Sequence, residues 1–170
     1  MGHRLTSALS EYLAPLVAFA PATASDDRPH AIASTGERLS ELDGVFYKEI
    51  VEQALREFPN ESCGVIAAAD GVPVKVFPMK NADASPVTYR LDGKEQLRVF
   101  DEIDDLGWDL WAIYHSHTHS EAYPSETDIR LAFYPDARYI LLSLQDREQP
   151  VVRSFHITDG EVTEEELVIT

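Results

Sequence analysis

Trp111-Ala-Ile-Tyr-His115-Ser-His117-Thr-His119-Ser-Glu-Ala-Tyr-Pro-Ser125-Glu-Thr-Asp128 carries an apolar run into a polar loop and then a short helix. Leu110 to Tyr114 reads as a strand that leads straight into His115. Side chains alternate along a strand, so His115 and His117 leave the same face, roughly 6 to 7 Å apart at the backbone. Ser125 opens a helix expected to run to about Phe133, which sets Asp128 on its first turn. A seven-residue loop between His117 and Ser125 is long enough to fold that turn back over the strand end. Two imidazole nitrogens and one carboxylate oxygen would then converge, a catalytic zinc set with a fourth position left for water. Each part also has a plainer reading. A His-x-His pair on a strand can be a satisfied polar pair. Ser125-x-x-Asp128 is close to a capping box, in which Asp128 serves only the helix terminus.

Working outward, Leu42, Phe46, Ile50, Ala54 and Phe58 recur every four residues with Val51 and Leu55 beside them. This spacing predicts a helix from Leu42 that Pro59 stops. Cys63 to Ala69 is a short apolar run, read as a buried strand, and Asp70-Gly71 turns it into a hairpin partner, Val72 to Phe77. Asn81 to Pro86 reads as loop and Val87 to Leu91 as strand. Lys94 to Leu106 carries Leu97, Phe100, Ile103 and Leu106 on one helical face. Arg138 to Leu144, Val151 to Ile157 and, after the Asp159-Gly160 turn, Val162 to Ile169 read as strands. A mixed sheet with two main helices and a third short one makes an α/β sandwich.

The chain's 170 residues suffice for one domain with a sizeable core and are too few for two comfortable ones. The formal net charge is -16, from 30 Asp+Glu against 14 Lys+Arg, so nucleic-acid phosphates and anionic membranes would repel it. Such a balance accompanies either a high-salt habitat or an ordinary soluble surface. No stretch reaches the roughly 18 to 20 apolar residues that span a bilayer. A single cysteine, Cys63, excludes an intrachain disulfide and a Cys-rich zinc site, and it fits a cytoplasmic location. Residues 1–38 are read as an N-terminal extension and linker, with the folded domain over 39–170. Leu13 to Phe19 and Ala-Thr-Ala at 22 to 24 faintly resemble a signal peptide, but Glu11 precedes the patch and Pro15 interrupts it. A partly helical extension at Leu5 to Phe19, packing on the domain or on a partner chain, is the reading preferred. Residues 20 to 38 have no apolar period and read as linker.

The conjunction His-Ser-His, seven residues, Ser-x-x-Asp resembles the signature of the JAMM (MPN+) zinc metallopeptidases. The similarity covers about residues 42 to 170 and is nearest to the bacterial sulfur-carrier peptidases of the CysO-cysteine peptidase type. It is carried by Glu61-Ser-Cys-Gly-Val, Asn81-Ala-Asp-Ala-Ser-Pro86, Tyr89-Arg-Leu-Asp92, Tyr114-His-Ser-His-Thr, Glu121-Ala-Tyr-Pro-Ser-Glu-Thr-Asp128 and Pro135-Asp-Ala-Arg-Tyr139. The resemblance implies an α/β/α sandwich with a mixed, partly curved sheet, related to the cytidine deaminases. It implies a zinc ion on His115, His117 and Asp128, Glu61 as general base and Ser125 as hydrogen-bond donor to the oxyanion. The implied partner is a small ubiquitin-like sulfur carrier cut after its C-terminal Gly-Gly, releasing an amino acid such as cysteine. His119 continues the i, i+2 series, but the family does not use that position as a ligand, so it reads as a loop residue near the metal or the substrate channel. Cys63 reads as a buried strand residue and His3, His30 and His156 as bystanders.

Four alternatives lie near this frame or fold, and one of them, the RadC-like branch, carries Pro-Ser-Gly-Asp-Pro right after the second His, where this chain has Thr118-His-Ser-Glu-Ala. A deubiquitinase-like isopeptidase would use the same residues to free ubiquitin-like proteins from lysines. A non-catalytic MPN scaffold would ordinarily have lost the ligands. A zinc deaminase needs a Pro-Cys-x-x-Cys pair that one cysteine cannot supply. The number of copies in the assembly is left open, a homodimer included.

Overall fold

The computed structural model describes residues 39–170. The extension expected over 1–38, with its helical patch at Leu5 to Phe19, lies outside the described residues. Within them the order is β1 (Leu39–Leu42), α1 (Gly44–Glu57), β2 (Cys63–Ala69), β3 (Val72–Met79), α2 (Gly93–Asp105), β4 (Asp109–His117), α3 (Glu126–Arg130), β5 (Arg138–Ser143), β6 (Val151–Thr158) and β7 (Glu161–Ile169). The strands form one sheet in the order β1-β7-β6-β5-β4-β2-β3. β4 and β5 run parallel, as do β1 and β7, and the other neighbours are antiparallel. The two edge strands, β1 and β3, approach each other, so the sheet is strongly curved.

A helix covers each face, which is why the central strands read as unbroken apolar runs. On one face Ile50 and Ala54 of α1 meet Ile66, Val76, Tyr114, Ile140 and Leu142. On the other Val99 and Ile103 of α2 meet Val65, Phe77, Ile113, Leu141 and Phe155, with Ile129 of α3 beside them. Ile66 and Ile140 are wholly buried, and each contributes about 2 kcal/mol by leaving water. The result is the expected α/β/α sandwich. Among the described residues no helix is long and apolar enough to cross a membrane.

The space between α1 and the sheet is set by one glycine. A Cβ on Gly64 would run into the Phe77 carbonyl and the Tyr114 hydroxyl. Its absence lets Tyr114 pass over β2 and donate to Gln53 Oε1 at 2.6 Å. Gln53 Nε2 in turn donates to the Cys63 carbonyl at 3.0 Å, so a buried polar chain ties α1 to β4 and β2.

Three expectations need correction. Leu42 belongs to β1 and not to the first helix, which starts after Asp43, whose side chain accepts from Val45 N at 2.7 Å. Val87 to Leu91 forms no strand beyond one bridge, Asn81 to Leu91. There the Asn81 side chain takes the backbone groups a neighbouring strand would have used, the Thr88 carbonyl and the Arg90 N–H. The third helix ends at Arg130, short of Phe133, and Tyr134 N donates to the Tyr139 hydroxyl at 3.0 Å rather than to a helical carbonyl.

Candidate metal centre

β4 lies between β5 and β2, and His115 sits opposite Leu141 and Cys63 in their registers. The neighbouring strands therefore hold the backbone of both histidines. His115 and His117 are buried on the face that α2 covers, with Nε2 atoms 3.1 Å apart. Asp128 comes over from α3. Its Oδ1 is 3.4 Å from His115 Nε2 and its Oδ2 is 3.4 Å from His117 Nε2. One donor atom from each of the three residues lies within 4.8 Å of the others.

The surroundings of each residue determine what it offers. His117 Nδ1 is 2.8 Å from the Glu121 carbonyl. A carbonyl only accepts, so Nδ1 carries a proton, and in the neutral ring Nε2 is the nitrogen left to bind a metal. The His115 ring is stacked against Tyr89, with centroids 4.1 Å apart. Asp128 and Ser125 form a reciprocal capping box. Ser125 N donates to Asp128 Oδ2 at 2.7 Å, and Asp128 N donates to Ser125 Oγ at 3.2 Å. Capping and convergence on the histidines thus coexist, and the box fixes the carboxylate's angle.

The charges follow from burial and hydrogen bonding. Burial pushes the Asp128 carboxyl up, but its bonds with His115 and His117 outweigh this and hold it well below the usual range. Burial lowers His115, keeping it neutral, while at His117 the bonds to Asp128 and to the Glu121 carbonyl outweigh burial and raise it. Burial raises Glu61 to about 7, against the opposing pull of His117. A carboxyl near 7 is matched to exchanging protons at neutral pH.

Glu61 is held through its backbone. Its N–H donates to the Ser85 carbonyl at 2.9 Å and its carbonyl accepts from Asn81 Nδ2 at 3.0 Å. The next residue is pinned from β4, where Ser116 Oγ accepts from Ser62 N at 2.8 Å. Ser116 stands between the two histidines and faces the opposite way.

Of the residues singled out in the sequence, His115, His117 and Asp128 come together, with Ser125 on the same helical turn and Glu61 close enough to feel the charge of His117 and Asp128. His119 stays outside the group. Its Nδ1 is 2.6 Å from Thr118 Oγ1 and its ring faces Phe58 at 6.1 Å. Cys63 is buried, and burial pushes its thiol up to about 12, so it is inert. Sequence reasoning placed Asn81 in a loop but missed the bonds it makes, and it missed Ser116. Only the register of β2 against β4 shows that the serine between the histidines reaches Ser62.

A family model described as prokaryotic homologues of the JAB domain matches residues 45–158. The chain is similar to the CysO-cysteine peptidase of Mycobacterium tuberculosis, 48% identical over 118 residues, which are 68% of this chain and 81% of that one. It is also similar to the desampylase of Haloferax volcanii, 36% identical over 99 residues, 56% of this chain and 71% of that one. Among solved structures, protein DSY2949 from Desulfitobacterium hafniense matches with a TM-score of 0.69 and 34% identity, covering 78% of this chain and 92% of that one. AF2198, a JAB1/MPN domain protein from Archaeoglobus fulgidus, shares the fold with a TM-score of 0.52 and 18% identity, covering 76% of this chain and 99% of that one.

Proposed function

Since this chain belongs to the JAMM family, the prokaryotic homologues of the JAB domain, we propose that it is a zinc-dependent peptidase that cuts after the C-terminal Gly-Gly of a small ubiquitin-like sulfur carrier and releases an amino acid such as cysteine. The observation that carries this reading is the convergence of His115, His117 and Asp128 on one point. Two imidazoles whose Nε2 atoms converge on one ionised carboxylate fit zinc and leave a coordination position open. When bound, zinc supplies Lewis acidity, which polarises a carbonyl and acidifies water. Glu61, raised by burial to about 7, takes the proton from the attacking water and delivers it to the leaving amine. Ser125 Oγ already accepts the Asp128 N–H, so its own proton is available to the developing oxyanion. Losing one such donor costs on the order of 3 kcal/mol of barrier. Asn81 holds the Glu61 carbonyl, and Ser116 holds the N–H of the next residue, Ser62.

Two features support the choice of substrate. The relative at 48% identity is named a CysO-cysteine peptidase, and a glycine tail approaches a buried centre without a Cβ clash. An extended tail pairs readily as an added strand, with Tyr123 and the Asn81 to Pro86 loop as the proposed walls of its channel. The likeness to a desampylase favours, as a second reading, release of ubiquitin-like proteins from lysines by the same residues. Lone, buried Cys63 suits a reducing cytoplasm. The test compares carrier adducts ending in Gly-Gly–cysteine and in Ala-Ala–cysteine. The proposal expects the second to be cleaved at least about tenfold more slowly. Equal cleavage of both, or of unrelated unfolded peptides, would make this a general peptidase and remove the carrier assignment.

A further inference from the structure

The segment Tyr89-Arg-Leu-Asp92 takes no part in the chemistry above, yet three of its four residues have plain structural tasks. Arg90 Nε donates to Asp83 Oδ1 at 3.0 Å. Leu91 packs on the α2 side of the core. Asp92 caps α2, accepting from Lys94 N at 3.2 Å and Glu95 N at 3.1 Å. Tyr89 is left over, and its ring lies nearly flat on His115, centroids 4.1 Å apart and planes at 19°.

The two histidines are supported in different ways. His117 has its outer nitrogen fixed by the Glu121 carbonyl. His115 Nδ1 is buried and has no hydrogen-bond partner among the described residues. A ligating imidazole ordinarily has its second nitrogen hydrogen-bonded, which fixes the ring's orientation. At His115 the flat contact with Tyr89 takes that place, since stacked rings define a plane without a hydrogen bond. Tyr89 is itself bracketed by one residue. Asn81 accepts from Arg90 N at 3.2 Å and donates to the Thr88 carbonyl at 3.0 Å, the two neighbours of Tyr89 in the chain. The same Asn81 Nδ2 donates to the Glu61 carbonyl at 3.0 Å.

We propose that Tyr89 is a positioning residue for His115: its ring sets the plane of the imidazole, and through it the segment anchored by Asn81 governs how tightly His115, His117 and Asp128 hold a divalent cation. This rests on the reading that these three residues take zinc. The test uses the whole chain and its Tyr89→Phe and Tyr89→Leu variants, with two readouts. In the metal-free proteins, the ring protons of His115 are shifted upfield by the Tyr89 ring in wild type and in Tyr89→Phe, and move to ordinary positions in Tyr89→Leu, while those of His117 stay in place. Zinc affinity, measured by competition with a chromophoric chelator, is kept within about twofold in Tyr89→Phe and falls on the order of tenfold in Tyr89→Leu, the scale of losing an outer support. Unshifted His115 protons in the wild type, or a Tyr89→Leu variant that binds zinc as tightly as wild type, would overturn the proposal. A wild type that takes up no zinc sinks the metal reading instead, and the metal-free ring shifts then decide alone whether Tyr89 orders His115.

Discussion

Two carboxylates, the buried Glu165 and the partly buried Asp128, each sit against histidine nitrogens, and they are partnered in opposite ways. Glu165 on β7 meets Arg138 Nε at 3.0 Å and His156 Nε2 at 3.1 Å. Arg138 also reaches Ser40 Oγ at 2.5 Å and lies over the Trp111 ring, so the cluster joins β1, β4, β5, β6 and β7. Burial pushes Glu165 up, but His156, Ser40 and Arg138 outweigh it and hold it at about 2. Asp128 is also held ionised, yet the ion-pair partners found for it are His115 and His117, one of which burial keeps neutral. The first cluster contains its own cation and is closed. The second has its donor atoms turned toward one another with no arginine or lysine found against them among the described residues, and an added cation would complete it. A carboxylate with histidines is thus a candidate metal site or a staple according to whether a basic side chain reaches it, and a motif alone does not show which.

The comparison can be broken at either end. The largest effect is expected from Asp128→Ala, which should lower hydrolysis of a carrier adduct by at least about a thousandfold, since the Lewis acid is worth several kcal/mol. Its cost in stability should be only about 1 kcal/mol, the worth of the lost cap, read from denaturant unfolding of the metal-free chain. Next is Glu61→Gln, which keeps shape and removes the proton acceptor. Turnover should drop by at least about a hundredfold with zinc content and melting temperature unchanged, and surviving activity would mean that another group activates the water.

At the closed cluster the same kind of change acts on stability instead. Glu165→Gln should cost about 3 kcal/mol by leaving Arg138 without its partner, while zinc per chain and turnover of the folded enzyme stay the same. The pH dependence has a definite sign. A carboxyl depressed from 4.5 to about 2 contributes stability that is complete above about 4.5 and lost as pH falls toward about 2. The melting temperature of Glu165→Gln should therefore fall less steeply than that of the wild type across this window, and parallel curves would show that Glu165 carries no such linkage. The smallest effect is expected from removing residues 1 to 38, whose linker part lacks any periodic apolar face. Zinc binding and the thermal transition should survive, and collapse of the domain would place that segment in the core.

The difference between the clusters also marks what could be read in the sequence. His115, His117, Ser125 and Asp128 fall within fourteen residues, on one strand end and one helical turn, so alternation and capping rules sufficed to bring them together. Ser40, Arg138 and Glu165 are 98 and 27 positions apart, and only the strand order β1-β7-β6-β5 makes them neighbours. His156 accordingly read as a bystander. The same limit hid Ser116, whose task depends on the pairing of β2 with β4. Leu42 was ambiguous for a local reason, since it continues the four-residue period of α1 while Asp43 caps the helix one residue later. The segment from Val87 to Leu91 has strand-forming residues, but a side chain, Asn81, had already taken its backbone partners.

The central claim is that the open cluster holds the catalytic metal and the closed one holds none. Its most direct test is metal analysis with an activity assay on wild type, His115→Ala and Glu165→Gln, each before and after exhaustive chelation. The account predicts about one zinc per chain in wild type and Glu165→Gln, none in His115→Ala, and hydrolysis that chelation abolishes and added zinc restores. A wild-type chain that remains fully active once stripped of metal, or a His115→Ala chain that keeps its zinc, would contradict it.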